Sequence, residues 1–500
     1  MTVSLATTPP TDSEVVIRVR GEGALPAGSA GDLATLAARK PGGLAAGAGS
    51  GELIVGVGRA SAKTAFVAGR KLGGALAEIE ALGAVALDLS GLAPPQSDDA
   101  PEVAASGRAG GAPLAFGAGE LRASADELAV AFLRGLHVST YRLGLWRGER
   151  PAVPLEGLRV DVLGIAGGDG RQVLAKAAAL AAGQRAAMHL VDRPANAKKP
   201  ADVAAYVVEL AERHGFGVEV LDEEALEIQG FGGVLAVGKG SAHPPRLVKL
   251  HYRGGGGYGL GLIGKGVTFD TGGISIKPSQ NLGAMKSDLG GAAAVLGTFV
   301  SVAELGLGVE LHGLLPLAEN AVDGGAYLPS DVIRNYSGKT VEITNTDAEG
   351  RLLLADCLAY LPEWAQPDLT IDLATLTGSA VRTLGYAAGA LFTHRADVVA
   401  ALAEAGRPHG ERTWPLPLWT EYDDDLESDV ADVKHYHGKP ITGAINAAKF
   451  LEYFVADRER WAHLDIAGVA FGNGEFSRDR SATGYGVALL TQFLIDRLRA

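Results

Sequence analysis

The chain has 500 residues, 47% hydrophobic and 21% charged, so it can bury a large core, and global disorder is excluded. A formal charge of −13 argues against non-specific attraction to nucleic acid or anionic membranes, and the single cysteine, Cys357, excludes an intramolecular disulfide. With no basic-then-apolar amino terminus and no run of about 18 uninterrupted apolar residues, the expected setting is cytoplasmic, without a membrane partner.

In chain order, ELIVGVG at 52–58, a helical run at 60–80 and AVALDLS at 84–90 predict a strand, an amphipathic helix and a second strand. Ala/Gly-rich stretches at 21–50 and 105–119 predict loops, and the polar WRGERPAVPLEG at 146–157 predicts a boundary before the strand LRVDVLGIA. The helical run GRQVLAKAAALAAGQRAAMHLV follows, ended by DRPANAKKP. Beyond it, GVEVL, GVLAVG, GLGLIGKGVTF, VELHGLLPL, TVEITN, LTIDLATL and HLDIAGVAF read as strands. They alternate with helices such as GGAAAVLGTFVSVAEL and RLLLADCLAYL. This alternation predicts an α/β chain: a smaller N-terminal α/β domain (1–165), a linker helix region (166–195) and a larger domain (196–500) with a wound mixed sheet flanked by helices.

Several familiar motifs fail. Gly259–Lys265 (GLGLIGK) fits the first seven positions of a phosphate loop, but Gly266 stands where Ser or Thr should hold magnesium, and a strand-like VTF follows. No HExxH or GxSxG occurs, and Cys357 lies inside a helical run, so zincin, serine and cysteine hydrolase readings lose their main support. His435 and His437 are the only two histidines close together. A polar loop explains them better than a metal pair.

The informative stretch runs from Gly264 to Arg351. Asp270 follows a strand, Asp288 precedes a helix, and Asp347 and Glu349 lie between a strand and a helix. Each acid alone has an ordinary structural explanation: Thr346–Glu349 matches a capping box, Ser287 and Asp288 suit caps, and Asp270-Thr-Gly-Gly suits a turn. Together the balance changes. Four carboxylates meeting Lys265, Lys277 and Arg351 in a crevice at strand ends would be costly unless cations or paired charges filled it. Two divalent metals resolve that cost and point to a two-metal hydrolase, without naming the substrate.

At these residues the sequence resembles the leucyl (cytosol) aminopeptidase family. NTDAEGRL at Asn345–Leu352 and GKGVTFDTGGISIKP carry the likeness, with DLATLTG, WPLPLW and WAHLDIAG in support, from about Asp192 to the C-terminus. The resemblance implies two divalent ions (Mn²⁺ or Zn²⁺) per subunit on Lys265, Asp270, Asp288, Asp347 and Glu349, with Asp270 and Glu349 bridging. Lys265 can serve only as the neutral amine. It further implies that Lys277 steadies the oxyanion, that Arg351 holds bicarbonate as general base, and that Met285, Thr375, Leu376 and Gly378 line the pocket for the first side chain.

The activity so implied is release of N-terminal amino acids, leucine and similar apolar residues first, from peptides with a free N-terminus, by a homohexamer engaged in peptide turnover. The segment KHYHGKPITGA departs from the family, which more usually has small or amide residues there. The competing readings are a DNA-binding regulatory relative, which the −13 charge opposes, and a catalytically silent scaffold.

Overall fold

The computed structural model describes residues 2–5, 15–21, 44–46, 52–58, 61–76, 84–91, 124–143, 158–165, 170–473 and 480–499. The loops expected at 105–119 and 146–157, and most of 21–50, lie outside the described residues. Two compact units are present: Met1–Ala181 with Arg407–Gly410, and Ala182–Gly406 with Glu411–Ala500.

The first unit contains β1 (Thr2–Leu5), β2 (Val15–Gly21), β3 (Leu44–Ala46), β4 (Glu52–Gly58), α1 (Ala62–Leu76), β5 (Ala84–Gly91), α2 (Ala125–Val138) and β6 (Arg159–Leu163). Its sheet has the order β1-β6-β5-β2-β4-β3, parallel except where β3 meets β4. β4 and β5 fall where the alternating apolar runs predict them. β3 is an addition, since Leu44–Ala46 lies within a stretch expected to be loop. β1, β2 and α2 are further additions, and the start of α2 is nonetheless written in Ser124-Ala-Asp-Glu127. Ser124 Oγ accepts from the Glu127 amide at 3.2 Å, and Glu127 Oε2 accepts from the Ser124 amide at 2.7 Å, a complete capping box.

The second unit opens within α3 (Gly170–Asp192), followed by α4 (Pro200–His214), β7 (Gly217–Leu221), α5 (Glu223–Gln229), α6 (Gly232–Gly238), β8 (Arg246–Arg253), β9 (Gly259–Gly264) and β10 (Gly266–Asp270). Next come α7 (Gly290–Leu305), β11 (Glu310–Asn320), β12 (Val332–Arg334), β13 (Thr340–Glu342), α8 (Gly350–Trp364), β14 (Leu369–Ala374), α9 (Gly378–Leu384) and β15 (Gly389–Phe392). The remainder is α10 (Ala396–Gly406), β16 (Thr413–Pro415), β17 (Val433–Lys434), α11 (Gly443–Glu452), β18 (Trp461–Asp465), β19 (Phe471–Asn473), β20 (Ser481–Ala482) and α12 (Val487–Arg497).

Nine strands form the main sheet, ordered β16-β15-β18-β14-β9-β11-β8-β7, with β10 also paired to β11. The central four, β18, β14, β9 and β11, run parallel, and antiparallel neighbours flank them. Helices cover both faces. The side-chain direction of Gly264 points at Ala292 of α7 and that of Gly261 at Leu361 of α8, and residues three apart on a strand face opposite ways. Near-continuous apolar strands are the consequence, as in LTIDLA. Below α8 the core gathers Ile263, Val267, Leu314, Leu353, Cys357, Phe392, Phe450 and Trp461. Among the described residues one helical stretch, Leu282–Leu305, is long and apolar enough to cross a membrane by length and composition; 83% of its apolar window is buried in the unit, as a core helix requires.

One predicted strand is a helix. GVLAVG at 233–238 forms α6, with Gly233, Val234, Ala236 and Val237 buried and packed against α8. A six-residue apolar run carries no usable period, so its partner decides its conformation.

Asp356 on α8 ties this region together by accepting from Asn335 Nδ2 (2.6 Å), the Tyr336 amide (2.8 Å) and the Val234 amide (2.9 Å). Burial raises its pKa to about 7 even though backbone hydrogen bonds favour the charged form. A carboxyl whose folded value lies above its unfolded one contributes stability at low pH that is lost as pH rises, here through about 7. The melting temperature of Asp356→Asn is therefore expected to fall less between pH 6 and 8 than that of the parent, although its amide cannot satisfy all three donors. Parallel pH profiles for the two proteins would contradict this.

Candidate metal and catalytic site

The site grows from the carboxyl ends of the parallel strands, where loops in an open α/β sheet converge. β9 and β10 follow β11 in a single register on either side of Lys265, from Gly259 opposite Glu310 to Val267 opposite Ala318. At Lys265 the backbone turns aside: its amide donates to the Leu373 carbonyl on β14, and its carbonyl accepts from Ala292 at the start of α7. That break sends the lysine side chain into the interior. Its Nζ lies 2.9 Å from Asp288 Oδ1, 2.8 Å from Glu349 Oε1 and 3.0 Å from the Thr375 carbonyl.

Gly350 makes room for this chain, because a Cβ there would lie 2.5 Å from Lys265 Cε. Any larger residue would displace the lysine.

Asp270 ends β10 beside Asn320, which ends β11. Asp270 Oδ1 accepts from Asn320 Nδ2 and from the Gly272 amide, both at 2.8 Å, while Oδ2 lies 2.7 Å from Lys277 Nζ. The expected turn is present. Gly272 has φ +87°, and a Cβ there would lie 2.5 Å from the Ser275 carbonyl and 3.1 Å from Asp347 Oδ1. Lys277 Nζ also contacts Asp347 Oδ1 and so joins the two carboxylates.

The bland explanations for the other acids do not hold. Glu349 stands at the start of α8 but makes no side-chain cap, and Thr346 Oγ1 instead donates to the Gly272 carbonyl (2.7 Å) and accepts from the Ser275 amide (2.8 Å). No capping box forms at Thr346–Glu349. Asp288 does not cap α7. Its Oδ1 accepts from Thr375 Oγ1 at 2.8 Å, and Oδ2 is buried without a hydrogen-bond partner among the described residues.

The electrostatics follow from burial and crowding. Burial disfavours the Lys265 ammonium, yet Asp288, Glu349 and Asp270 outweigh it and hold its pKa above the ordinary lysine range. Lys277 behaves alike, with Asp270, Glu349 and Asp347 overriding burial. Burial and the neighbouring Glu349 raise Asp270 to about 6 against the pull of Lys277 and Lys265. Asp288 is raised by burial, then by Glu349 and Asp270, against Lys265. Asp347 is raised by burial against Lys277. Burial also opposes ionisation of Glu349, but the two lysines win and hold its pKa low.

Asp270, Asp347 and Glu349 each bring one oxygen within 4.8 Å of the others. Together with the unpartnered Asp288 oxygen they form a hard, anionic donor set that fits divalent cations.

Arg351 is buried in the first turn of α8. Its Nη1 donates to the His435 carbonyl (2.6 Å) and to Asn446 Oδ1 (3.0 Å), and burial lowers its pKa to about 10. His435 is a bracket within the fold. Its Nε2 pairs with the Asn345 carbonyl at 2.8 Å, Nδ1 takes the Thr344 amide at 3.3 Å, and burial lowers its pKa to about 4. His437 bonds instead within its own loop, to the Ile441 carbonyl at 3.0 Å and to the Lys439 amide at 3.0 Å. The two rings thus serve as polar-loop residues.

Met285 sits half-buried in the turn before Asp288, with its carbonyl accepting from the Asp288 amide at 3.3 Å. Thr375, Leu376 and Gly378 lie on the loop from β14 into α9. Residues outside the predicted set also build the site: Asn320, Tyr327, Thr346, Asn446 and Asp465. Tyr327 donates to the Thr346 carbonyl at 2.9 Å, beside Asn320 Nδ2 at 3.0 Å on the same oxygen. A sequence signal was available for Asn320, which follows the predicted strand VELHGLLPL, but none for Asp465, which falls near the start of the predicted strand HLDIAGVAF.

Residues 185–491 match the family model described as "Cytosol aminopeptidase family, catalytic domain". The chain belongs to the cytosol aminopeptidase family. All the site residues named above lie inside the family match. A "Probable cytosol aminopeptidase" of Chlorobium limicola is 47% identical over 313 residues, 62% of each chain. One of Geobacter sulfurreducens is 46% identical over 334 residues, 66% of this chain and 67% of that one. The alignments with the Chlorobium limicola and Chlorobium phaeobacteroides relatives span 62% of their length, somewhat under two thirds. Among solved structures, the bottromycin maturation enzyme BotP in complex with Mn has a TM-score of 0.80 and 34% identity, covering 97% of this chain and 99% of its own.

Proposed function

We propose that the chain is a metal-dependent aminopeptidase that releases N-terminal amino acids, leucine and similar apolar residues first, from peptides with a free N-terminus. The observation that carries this reading is the convergence of Asp270, Asp288, Asp347 and Glu349 on Lys265 and Lys277 inside the family match. In this reading residues 196–500 do the chemistry, and 1–165 form a smaller accessory domain joined through 166–195.

Lys265, Asp270, Asp288, Asp347 and Glu349 would hold two divalent ions, Mn²⁺ or Zn²⁺, and the solved complex of BotP with Mn supports the first. Such ions, when bound, polarise a carbonyl and lower the pKa of water. To bind one, Lys265 must give up the proton that its carboxylate neighbours now hold on Nζ, so cation binding and proton release are coupled. Lys277, held between Asp270 and Asp347, places a positive charge where oxyanion charge develops. Arg351, steadied by the His435 carbonyl and Asn446, would hold a bicarbonate that supplies the general base. Met285, Thr375, Leu376 and Gly378 line the pocket for the first side chain.

Lys277→Ala is expected to lower kcat by about 10²–10³-fold, the usual cost of losing an oxyanion donor, while KM stays within a few-fold. A change confined to KM would make Lys277 a binding residue. The deciding experiment is hydrolysis of leucine p-nitroanilide by metal-stripped protein with Mn²⁺, Zn²⁺ or Mg²⁺ restored, and an N-acetylated substrate as control. Cleavage of the free-amine substrate alone supports the reading; no cleavage with any metal refutes it. The same reading makes the protein a cytoplasmic homohexamer. Light scattering should therefore return six times the mass of one chain, and a monomer would remove that part.

A further inference from the structure

Asp465, the last residue of β18, has no catalytic assignment, yet its carboxylate joins a neighbouring strand of the sheet to the pocket loop. β18 and β14 are parallel, with Asp465 opposite Ala374, and the Ile466 amide donates to the Ala374 carbonyl at 2.7 Å. The chain leaves β14 at that point to form Thr375–Gly378. The buried Asp465 carboxylate reaches across. Its Oδ1 accepts from the Leu376 amide at 3.2 Å and from the Ala467 amide at 3.1 Å, and its Oδ2 accepts from Thr377 Oγ1 at 2.6 Å.

These bonds bracket Leu376 on both sides. They also constrain Thr375, whose carbonyl accepts from Lys265 Nζ (3.0 Å) and whose hydroxyl donates to Asp288 Oδ1 (2.8 Å). Helix capping does not account for the arrangement, because Thr377 caps α9 by itself, accepting from the Ala380 amide at 3.0 Å. Burying a carboxylate is costly when only neutral donors meet it. Here every one of those donors but the Ala467 amide belongs to the loop.

We propose that Asp465 is the positioning residue of the Thr375–Gly378 loop, holding Thr375 on the Lys265 and Asp288 side chains and fixing Leu376 in its place along the pocket for the first side chain. The inference rests on the aminopeptidase reading for the substrate, while the clamp itself rests on the hydrogen bonds alone. Asp465→Asn keeps the volume and the acceptor for Leu376 but loses the charge-assisted bond from Thr377. Thr377→Val loses the same bond from the other end, and Thr377→Ser keeps it.

The test has two readouts on the full-length, Mn²⁺-loaded chain. In amide hydrogen exchange, Asp465→Asn should lower protection of the Leu376–Ser379 amides by about tenfold or more, with β14 unchanged, as for local opening of one segment. In turnover, Asp465→Asn and Thr377→Val should each lower kcat/KM for leucine p-nitroanilide by about 10–100-fold, the range for outer partners of a metal site. Each should also reduce the leucine-to-alanine preference several-fold, Thr377→Ser should restore it, and the double variant should be no worse than Asp465→Asn.

Unchanged exchange at Leu376 overturns the clamp. An unchanged leucine-to-alanine ratio in a protein whose parent cleaves both substrates overturns the positioning role. A parent that cleaves neither substrate refutes the aminopeptidase reading and with it the substrate-facing role of Leu376, and exchange alone then decides the clamp.

Discussion

Glu349→Gln is expected to reduce kcat/KM by about a thousandfold or more, well beyond the 10–100-fold typical of outer partners of a metal site. The reason is charge rather than shape. Glu349 is 2% exposed and lies 2.8 Å from Lys265, and the two lysines hold its pKa low against burial, so it is ionised at neutral pH. Glutamine keeps the volume and one oxygen for Lys265, and the fold should survive. The cluster, however, sets four carboxylates against two lysines, and losing one of its uncompensated charges weakens its attraction for a dication where desolvation makes each charge count most. Equilibrium dialysis with Mn²⁺ should show reduced uptake alongside the lost turnover on leucine p-nitroanilide, with circular dichroism unchanged. Normal turnover in the variant would falsify the proposed role.

Asp372→Ala is expected to produce the largest loss of stability, on the order of 3–5 kcal/mol, the usual cost of breaking a buried pair from one side. Asp372 and His463 are both fully buried and directly opposite on β14 and β18. Asp372 Oδ1 lies 2.5 Å from His463 Nδ1, and Oδ2 accepts from Trp461 Nε1 at 2.7 Å. His463 Nε2 has no hydrogen-bond partner among the described residues, so removal of Asp372 strands the imidazole and leaves the indole N–H unpaired. A lower urea midpoint with an unchanged slope is the expected signature. A midpoint within experimental error of the parent would show that the pair adds nothing beyond packing.

Much of the second unit can be read residue by residue. Near-continuous apolar runs mark β9, β11 and β14, and helical runs mark α3, α7 and α8, because a strand covered on both faces and a long helix each carry enough residues for their pattern to show. Short elements do not. GVLAVG lacks the length to reveal a period, and its burial against α8 makes it helical. The capping box that the T-x-x-E pattern allows at Thr346–Glu349 is absent for a related reason: Thr346 finds partners in Gly272 and Ser275, more than 70 residues away.

What the sequence determined by itself is the chemistry available and the family. The types and order of residues in GKGVTFDTGGISIKP and NTDAEGRL supply Lys265, Asp270, Lys277, Asp347 and Glu349, and both segments lie inside the family match over 185–491. What only the tertiary structure decided is which of these groups meet and what holds them. Parallel strands can be joined only by long crossovers, so neighbours at their carboxyl ends are far apart in sequence. Asp270 meets Asn320, Asp288 meets Thr375, Arg351 meets the His435 carbonyl, and Asp465 reaches back to Leu376 and Thr377. Local pattern records the propensity of a segment, and those contacts are set by how the sheet stacks its strands.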